Sequence, residues 1–232
     1  MFFNNYIDLS EDLNGLFNIN GMKYEILQTL NYHSNTVCKI IELKNKNLVS
    51  CSYDSSIIFY IKDNNEYKQD YKISTDGSCY SIIQTNDNEI CYSVSNGNKI
   101  CFYDLLERKI KASISDISKY NGVQEWFIMI KKDLLLIPGY NVMSVINTEQ
   151  YKLVRKIEVP DSSWICGVCM LNENMLLTGD GAKIIRQWKI EEDNLILISK
   201  KEKTHDNGIN VLLNIGNGFI ASGSHDNTIK IW

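Results

Sequence analysis

Apolar residues along this chain come in short runs, broken by clusters of Asn, Asp, Gly and Lys, and the runs recur with a fixed period. Apolar runs start at Val37, Cys79 or Tyr80, Val123, Ile165 and Ile209. A second run follows each, at 48–51, 90–94, 134–137, 176–178 and 219–222. The unit ends are Tyr60, Tyr103, Ile146, Trp188 and Trp232, spaced by 43, 43, 42 and 44 residues. Residues 33–60 align without a gap on residues 205–232 at an offset of 172, four unit lengths away. Self-similarity at this period is the mark of a repeat array. Val, Ile, Leu, Tyr and Cys suit pleated, half-buried strands, and turn clusters at 44–47, 86–88, 172–174 and 216–218 supply residues that tolerate positive φ. The pattern predicts an all-β chain with four short strands per repeat.

The last repeat carries Ala221-Ser222-Gly223-Ser224-His225-Asp226-Asn227-Thr228-Ile229-Lys230-Ile231-Trp232, and residues 48–60 and 176–188 are weaker versions of it. This segment resembles the strand-turn-strand signature of WD-repeat proteins. The resemblance covers about residues 23–232 and implies a β-propeller of five blades, each a four-stranded antiparallel sheet, with residues 1–22 as an N-terminal extension. The last repeat stops after its third strand, while residues 24–30 match the outer strands expected at 107–114 and 151–159. The expectation is an N-terminal strand that completes the C-terminal blade and closes the ring, which would remove both open sheet edges. The alternative is a segment of a larger array. In the extension, Leu9, Leu13, Leu16 and Phe17 could form one or two turns of amphipathic helix capped by Ser10.

The resemblance also implies a hydrogen-bonded network within a blade: a loop His, the turn Asp, a Ser or Thr of the second strand and the third-strand Trp. Here that set is His205, Asp226, Ser222 and Trp232, and the first repeat has His33, Asp54 and Ser50 with Tyr60 in the Trp position. Ser, His and Asp together look like a hydrolase triad. A catalytic triad is needed once, whereas a structural network is needed in each blade, so the repetition favours structure. The middle repeats place Asp76, Lys119 and Asp161 at the His position and Gly97, Tyr140 and Ala182 at the Asp position. Their blades are expected to hold together by apolar packing alone.

A net charge of −4 gives no basic field for nucleic acid or anionic lipid. No apolar run approaches the ~18 residues of a membrane span, and the first residues lack a secretory pattern, so the expectation is a cytoplasmic protein. Seven cysteines, an odd number, read as free thiols. The one CxxC, Cys166-Gly167-Val168-Cys169, lies in a strand, where residues three apart face opposite ways and cannot share a metal. No P-loop, dinucleotide fingerprint or HExxH is present, so no cofactor, metal or small-molecule substrate is expected. Propeller relatives bind proteins or peptides on the channel face. The matching positions here are Thr36, Cys79, Gly122, Trp164 and Gly208, with Tyr53, Asn96, Gly139, Gly181 and His225. Tyr53 and Trp164 are the candidate anchors, because aromatics dominate interface energetics, with Asn96 and His225 beside them. Arg108, Arg155 and Arg186 form no cluster in sequence, so a neutral or basic peptide fits better than a phosphorylated one. The expected role is a non-catalytic protein-interaction scaffold or adaptor. The rivals are a structural subunit buried in a multiprotein assembly and a hydrolase.

Overall fold

The structure, a computed structural model, describes residues 16–19, 22–96, 98–117 and 126–232. Twenty-one strands account for its regular structure, and no helix occurs among the described residues. A short hairpin pairs β1 (Leu16–Ile19) with β2 (Met22–Glu25). The first blade then follows as β3 (Val37–Glu42), β4 (Leu48–Ser52), β5 (Ser56–Asp63) and β6 (Glu66–Ser74). The second is β7 (Ile82–Asn86), β8 (Glu89–Val94), β9 (Lys99–Asp104) and β10 (Lys109–Ile114). The third is β11 (Ile128–Lys131), β12 (Leu134–Pro138), β13 (Val142–Asn147) and β14 (Lys152–Glu158). The fourth is β15 (Ile165–Asn172), β16 (Met175–Asp180), β17 (Ile185–Glu191) and β18 (Asn194–Lys201). The fifth has three strands, β19 (Ile209–Gly216), β20 (Phe219–Ser224) and β21 (Ile229–Ile231). Every pairing is antiparallel between consecutive strands. This is a five-bladed β-propeller, as the repeat predicts.

One turn recurs in all five blades. Ser55, Asn98, Asn141, Lys183 and Asn227, in the turn between the second and third strands, all have φ between 46° and 68°. Their spacings of 43, 43, 42 and 44 reproduce those of the repeat ends. A left-handed residue at that point reverses the chain tightly enough to bring the two strands into register. Asn serves in three of the five, consistent with its tolerance of positive φ.

The blades stack through apolar cores at their boundaries. Ile57 and Phe59 pack with Cys79, Ile82 and Tyr92 between the first and second blades. Phe102 and Ile100 meet Leu135 and Ile146 between the second and third. Leu136 and Val145 meet Leu176 and Trp188 between the third and fourth. Leu177 and Cys169 meet Ile209, Leu212 and Ile220 between the fourth and fifth. No such core joins the fifth blade to the first among the described residues.

The expected closure by residues 24–30 is not what the structure shows. Tyr24 and Glu25 pair with Phe17 and Leu16 in the hairpin, and residues 26–30 form no strand. The Gln28 amide instead donates to the Tyr67 carbonyl at 2.6 Å and accepts from the Tyr67 N–H at 2.8 Å, which fastens the segment to the outer strand of the first blade. Local pairing closes a far shorter loop than pairing with a strand some two hundred residues away, and is favoured for that reason. The sequence signal for this hairpin is Asn20-Gly21 between the two strands. The same pairing corrects the expected helix at Leu16 and Phe17, which lie in β1. Leu9, Ser10 and Leu13 fall outside the described residues.

Candidate functional site

The last blade brings its four network residues together. Trp232 Nε1–H, which can only donate, gives its proton to Ser222 Oγ at 2.9 Å. Asp226 Oδ2, an acceptor only, lies 2.8 Å from His205 Nδ1, so Nδ1 carries the ring proton and donates it. In the neutral ring Nε2 is then the acceptor, and the Ser222 hydroxyl donates to it at 2.7 Å. The first blade repeats the chain, with His33 Nδ1 at 2.9 Å from Asp54 and His33 Nε2 at 2.7 Å from Ser50 Oγ. Tyr60 Oη, 3.0 Å from Ser50 Oγ, takes the place of the indole.

Each aspartate is also held by its turn. Asp54 accepts from the Ser34 N–H and the Ser56 hydroxyl, and Asp226 from the Asp206 N–H and the Thr228 hydroxyl. Burial alone would raise both carboxyls. The hydrogen bonds, from Ser56, Ser34 and His33 on one and from Thr228, Asp206 and His205 on the other, outweigh it and hold both well below the usual carboxylate range.

The order of groups, Ser to His to Asp, is that of a hydrolase triad, but the serines are sealed. Ser222 has no exposed surface and Ser50 has 2%. Each serine oxygen already holds two hydrogen-bond partners inside the sheet. A nucleophile must reach a carbonyl carbon from an open face, and neither oxygen has one.

The middle blades use different polar devices, which corrects the expectation of apolar packing alone. In the fourth, the Trp188 indole donates to Thr178 Oγ1 at 2.9 Å. Beside it, Arg186 and Asp180 form a buried ion pair, with the Arg186 guanidinium also donating to the Pro160 carbonyl. The pairing Thr178↔Arg186 puts Thr178, Asp180 and Arg186 on one face of the sheet, because residues two apart in a strand share a face. In the second blade, buried Glu89 accepts from Tyr151 Oη at 2.6 Å and Thr85 Oγ1 at 2.7 Å and pairs with Lys111 at 3.1 Å, so that Tyr151 ties the third blade to the second. Asp76, at the His position, binds Asn96 and Lys99, each at 3.0 Å. Lys119 lies outside the described residues. The signals for these devices were single charged residues inside apolar strands, Glu89, Asp180 and Arg186, which the repeat alignment gave no reason to join.

Of the four candidate partner contacts, Tyr53 and Trp164 lie at blade boundaries, whereas Asn96 and His225 make their contacts within their own blades. Tyr53, in the turn of the first blade, packs edge-on against Tyr80 entering the second, with ring centroids 5.1 Å apart. Trp164, entering the fourth blade, meets Tyr140 of the third in the same way at 5.3 Å, and the two also form an isolated backbone bridge. Asn96 and His225 are exposed, and His225 Nδ1 lies 3.2 Å from the Asn210 amide. Tyr80 and Tyr140 complete the aromatic pairs, and the repeat-to-repeat spacing places them one blade boundary from Tyr53 and Trp164. Gly122 and Gly97 lie outside the described residues. The thiols Cys79 and Cys91 are pushed well up by burial, and Cys169 up to about 11 for the same reason, which leaves little reactive thiolate.

Against known families, the model described as WD domain, G-beta repeat matches residues 199–232. Those residues hold the complete His205, Ser222, Asp226 and Trp232 set, on a chain whose other blades repeat the same strands and turn. The match to a WD repeat thus falls on the last blade of a five-bladed propeller. No curated protein matches it. The His network stands in the first and last blades, while the fourth keeps only its Trp188–Thr178 bond and the second has buried Glu89 instead.

Proposed function

We propose that this WD-repeat chain is a non-catalytic interaction scaffold that binds a protein or a neutral to basic peptide on the channel face. The observation that carries the reading is the double occurrence of the Ser-His-Asp arrangement with both hydroxyls sealed in the sheet. Among the described residues this is the grouping that most resembles catalytic machinery, and its burial in the sheet supports a binding role for the surface. WD-repeat propellers generally mediate protein–protein interaction, and the aromatic pairs Tyr53–Tyr80 and Tyr140–Trp164 offer amphipathic anchors. Five buried cysteines outside any disulfide, Cys51, Cys79, Cys91, Cys101 and Cys169, fit a reducing compartment such as the cytoplasm.

Affinity purification of the tagged chain from its native cells, with partners identified by mass spectrometry, tests this. The double variant Tyr53→Ala, Trp164→Ala should weaken capture of a confirmed partner by about 2 kcal/mol, roughly 30-fold. Undiminished capture would place the partner elsewhere. A second reading, a structural subunit within an assembly, is favoured by the apolar residues exposed on the last blade. It predicts a fixed-stoichiometry set of neighbours that the double variant does not release.

A further inference from the structure

The fourth strand of a blade is its outer edge, and in three of four blades that edge is guarded by charge. Aligned through their pairing with the third strands, Lys68 opposite Ile61, Lys109 opposite Asp104 and Lys152 opposite Asn147 occupy one repeated position, and all three are exposed. The fourth blade puts Ile196 there, opposite Lys189. Two residues further on each outer strand bulges, at Asp70, Lys111, Val154 and Ile198. Lysines and bulges are what keep an edge strand from pairing with another chain. β18 keeps the bulge, but from Asn194 to Ser199 it has no charged side chain, and Ile196, Leu197 and Ile198 are exposed by 42%, 45% and 50%. Among the described residues no strand pairs with its outer side.

Charge stands instead at the two ends of the strand, with opposite sign. Glu191, Glu192 and Asp193 lead into it, and Lys200, Lys201 and Lys203 lead out, with Glu202 among them. Turned end for end, the segment 191–203 complements itself. With Leu197 on Leu197, Ile196 lies beside Ile198, Asp193 beside Lys201 and Glu191 beside Lys203. The ion pairs Lys189–Glu191 and Lys200–Glu202 already present there, each at 2.6 Å, join side chains that are about half exposed, where such pairs are weak and open to exchange.

We propose that β18 lies side by side and antiparallel with β18 of a second copy, about a twofold axis at Leu197. A twofold contact is isologous, each patch meeting its own image, and the order acidic, apolar, basic suits that symmetry. An extended segment of a different protein is the other way to cover such an edge, but it has no reason to match a segment whose charges match themselves. The bulge at Ile198 interrupts the backbone ladder, so the apolar side chains and the flanking charges carry much of the contact. Each copy offers this edge once, and the assembly closes at two chains.

Sedimentation velocity from micromolar to sub-millimolar concentration tests the proposal, at low ionic strength, where exposed charges act most strongly. The wild type should rise from 26.7 kDa to twice that mass and no further. Ile196→Lys, which restores the lysine of the other blades at an exposed position, should raise the dissociation constant roughly 100-fold, since each dimer buries that residue twice. Two charge variants check the orientation. Glu191→Lys, Glu192→Lys makes both ends of the segment basic, and Lys200→Glu, Lys203→Glu makes both acidic, so each should remain a single chain alone. Their equimolar mixture should pair, because each then meets opposite charge at both ends. Circular dichroism melts check that all three variants fold. A wild type that stays at 26.7 kDa throughout overturns the proposal and leaves the edge to a different protein. So does growth beyond two chains, an Ile196→Lys chain that associates as the wild type does, or a mixture of charge variants that stays single.

Discussion

Ser222 passes a hydrogen bond from Trp232 to His205, and His205 passes one to Asp226. Removing the middle member by His205→Ala leaves Ser222 and Asp226 each short of a partner in a buried setting. The expected cost is about 1–3 kcal/mol, measured as a lower melting temperature with no change in capture of a confirmed partner. An unchanged melting temperature combined with lost activity would instead give His205 a chemical role. The two aspartates set an acid limit as well. Their folded pKa values lie below the unfolded value of about 3.9, so between the two the unfolded chain binds more protons. The stabilisation is whole above the unfolded value and is lost as pH falls toward the folded ones. Thermal melts from about pH 5 down to about pH 2 should therefore decline less steeply for Asp54→Asn, Asp226→Asn than for the wild type. Parallel slopes would show that other carboxylates govern acid unfolding.

At the scale of the strand and its neighbours, the fourth blade gives the clearest test of what replaces the family network. Arg186→Met strips Asp180 of its buried counterion and should cost about 3–5 kcal/mol in denaturant melts, whereas Asp180→Leu, Arg186→Met should recover most of it. Failure of the double variant to recover would mean that the pair does more than neutralise itself. Gly179→Ala should destabilise by about 1–3 kcal/mol, because the new methyl meets Ile209. Ile209→Ala, which removes Cγ2, should relieve part of that cost, and simple additivity of the two changes would deny the contact. The sequence made the blades legible because each reuses one alternation and one turn, and the left-handed residue falls at the repeat spacing in all five. It also brought His205 to Ser222 and Asp226, since the family motif fixes those three at once. Asp180 with Arg186, and Glu89 with Lys111 and Tyr151, were hidden because each combines residues that no shared motif links. The N-terminal strand was misplaced for a related reason: likeness to an outer strand says nothing of which edge a segment will find, and a nearer partner was available.

For the molecule as a whole, β21 is an edge. Ile220 and Trp232 exchange both backbone hydrogen bonds and the Ser224 N–H donates to the Thr228 carbonyl, so the Ile229 and Ile231 amides point away from β20. In hydrogen exchange they should be far less protected than Ile57 and Phe59, which face β6. Equal protection would reveal a strand paired there. The His networks of the first and fifth blades each tie a loop, a turn and the second strand of one blade together. A backbone that opens locally is what a protease cuts, so His33→Ala, His205→Ala should be cleaved sooner than the wild type under native conditions, and an equal rate of cleavage would deny that the histidines hold their blades shut.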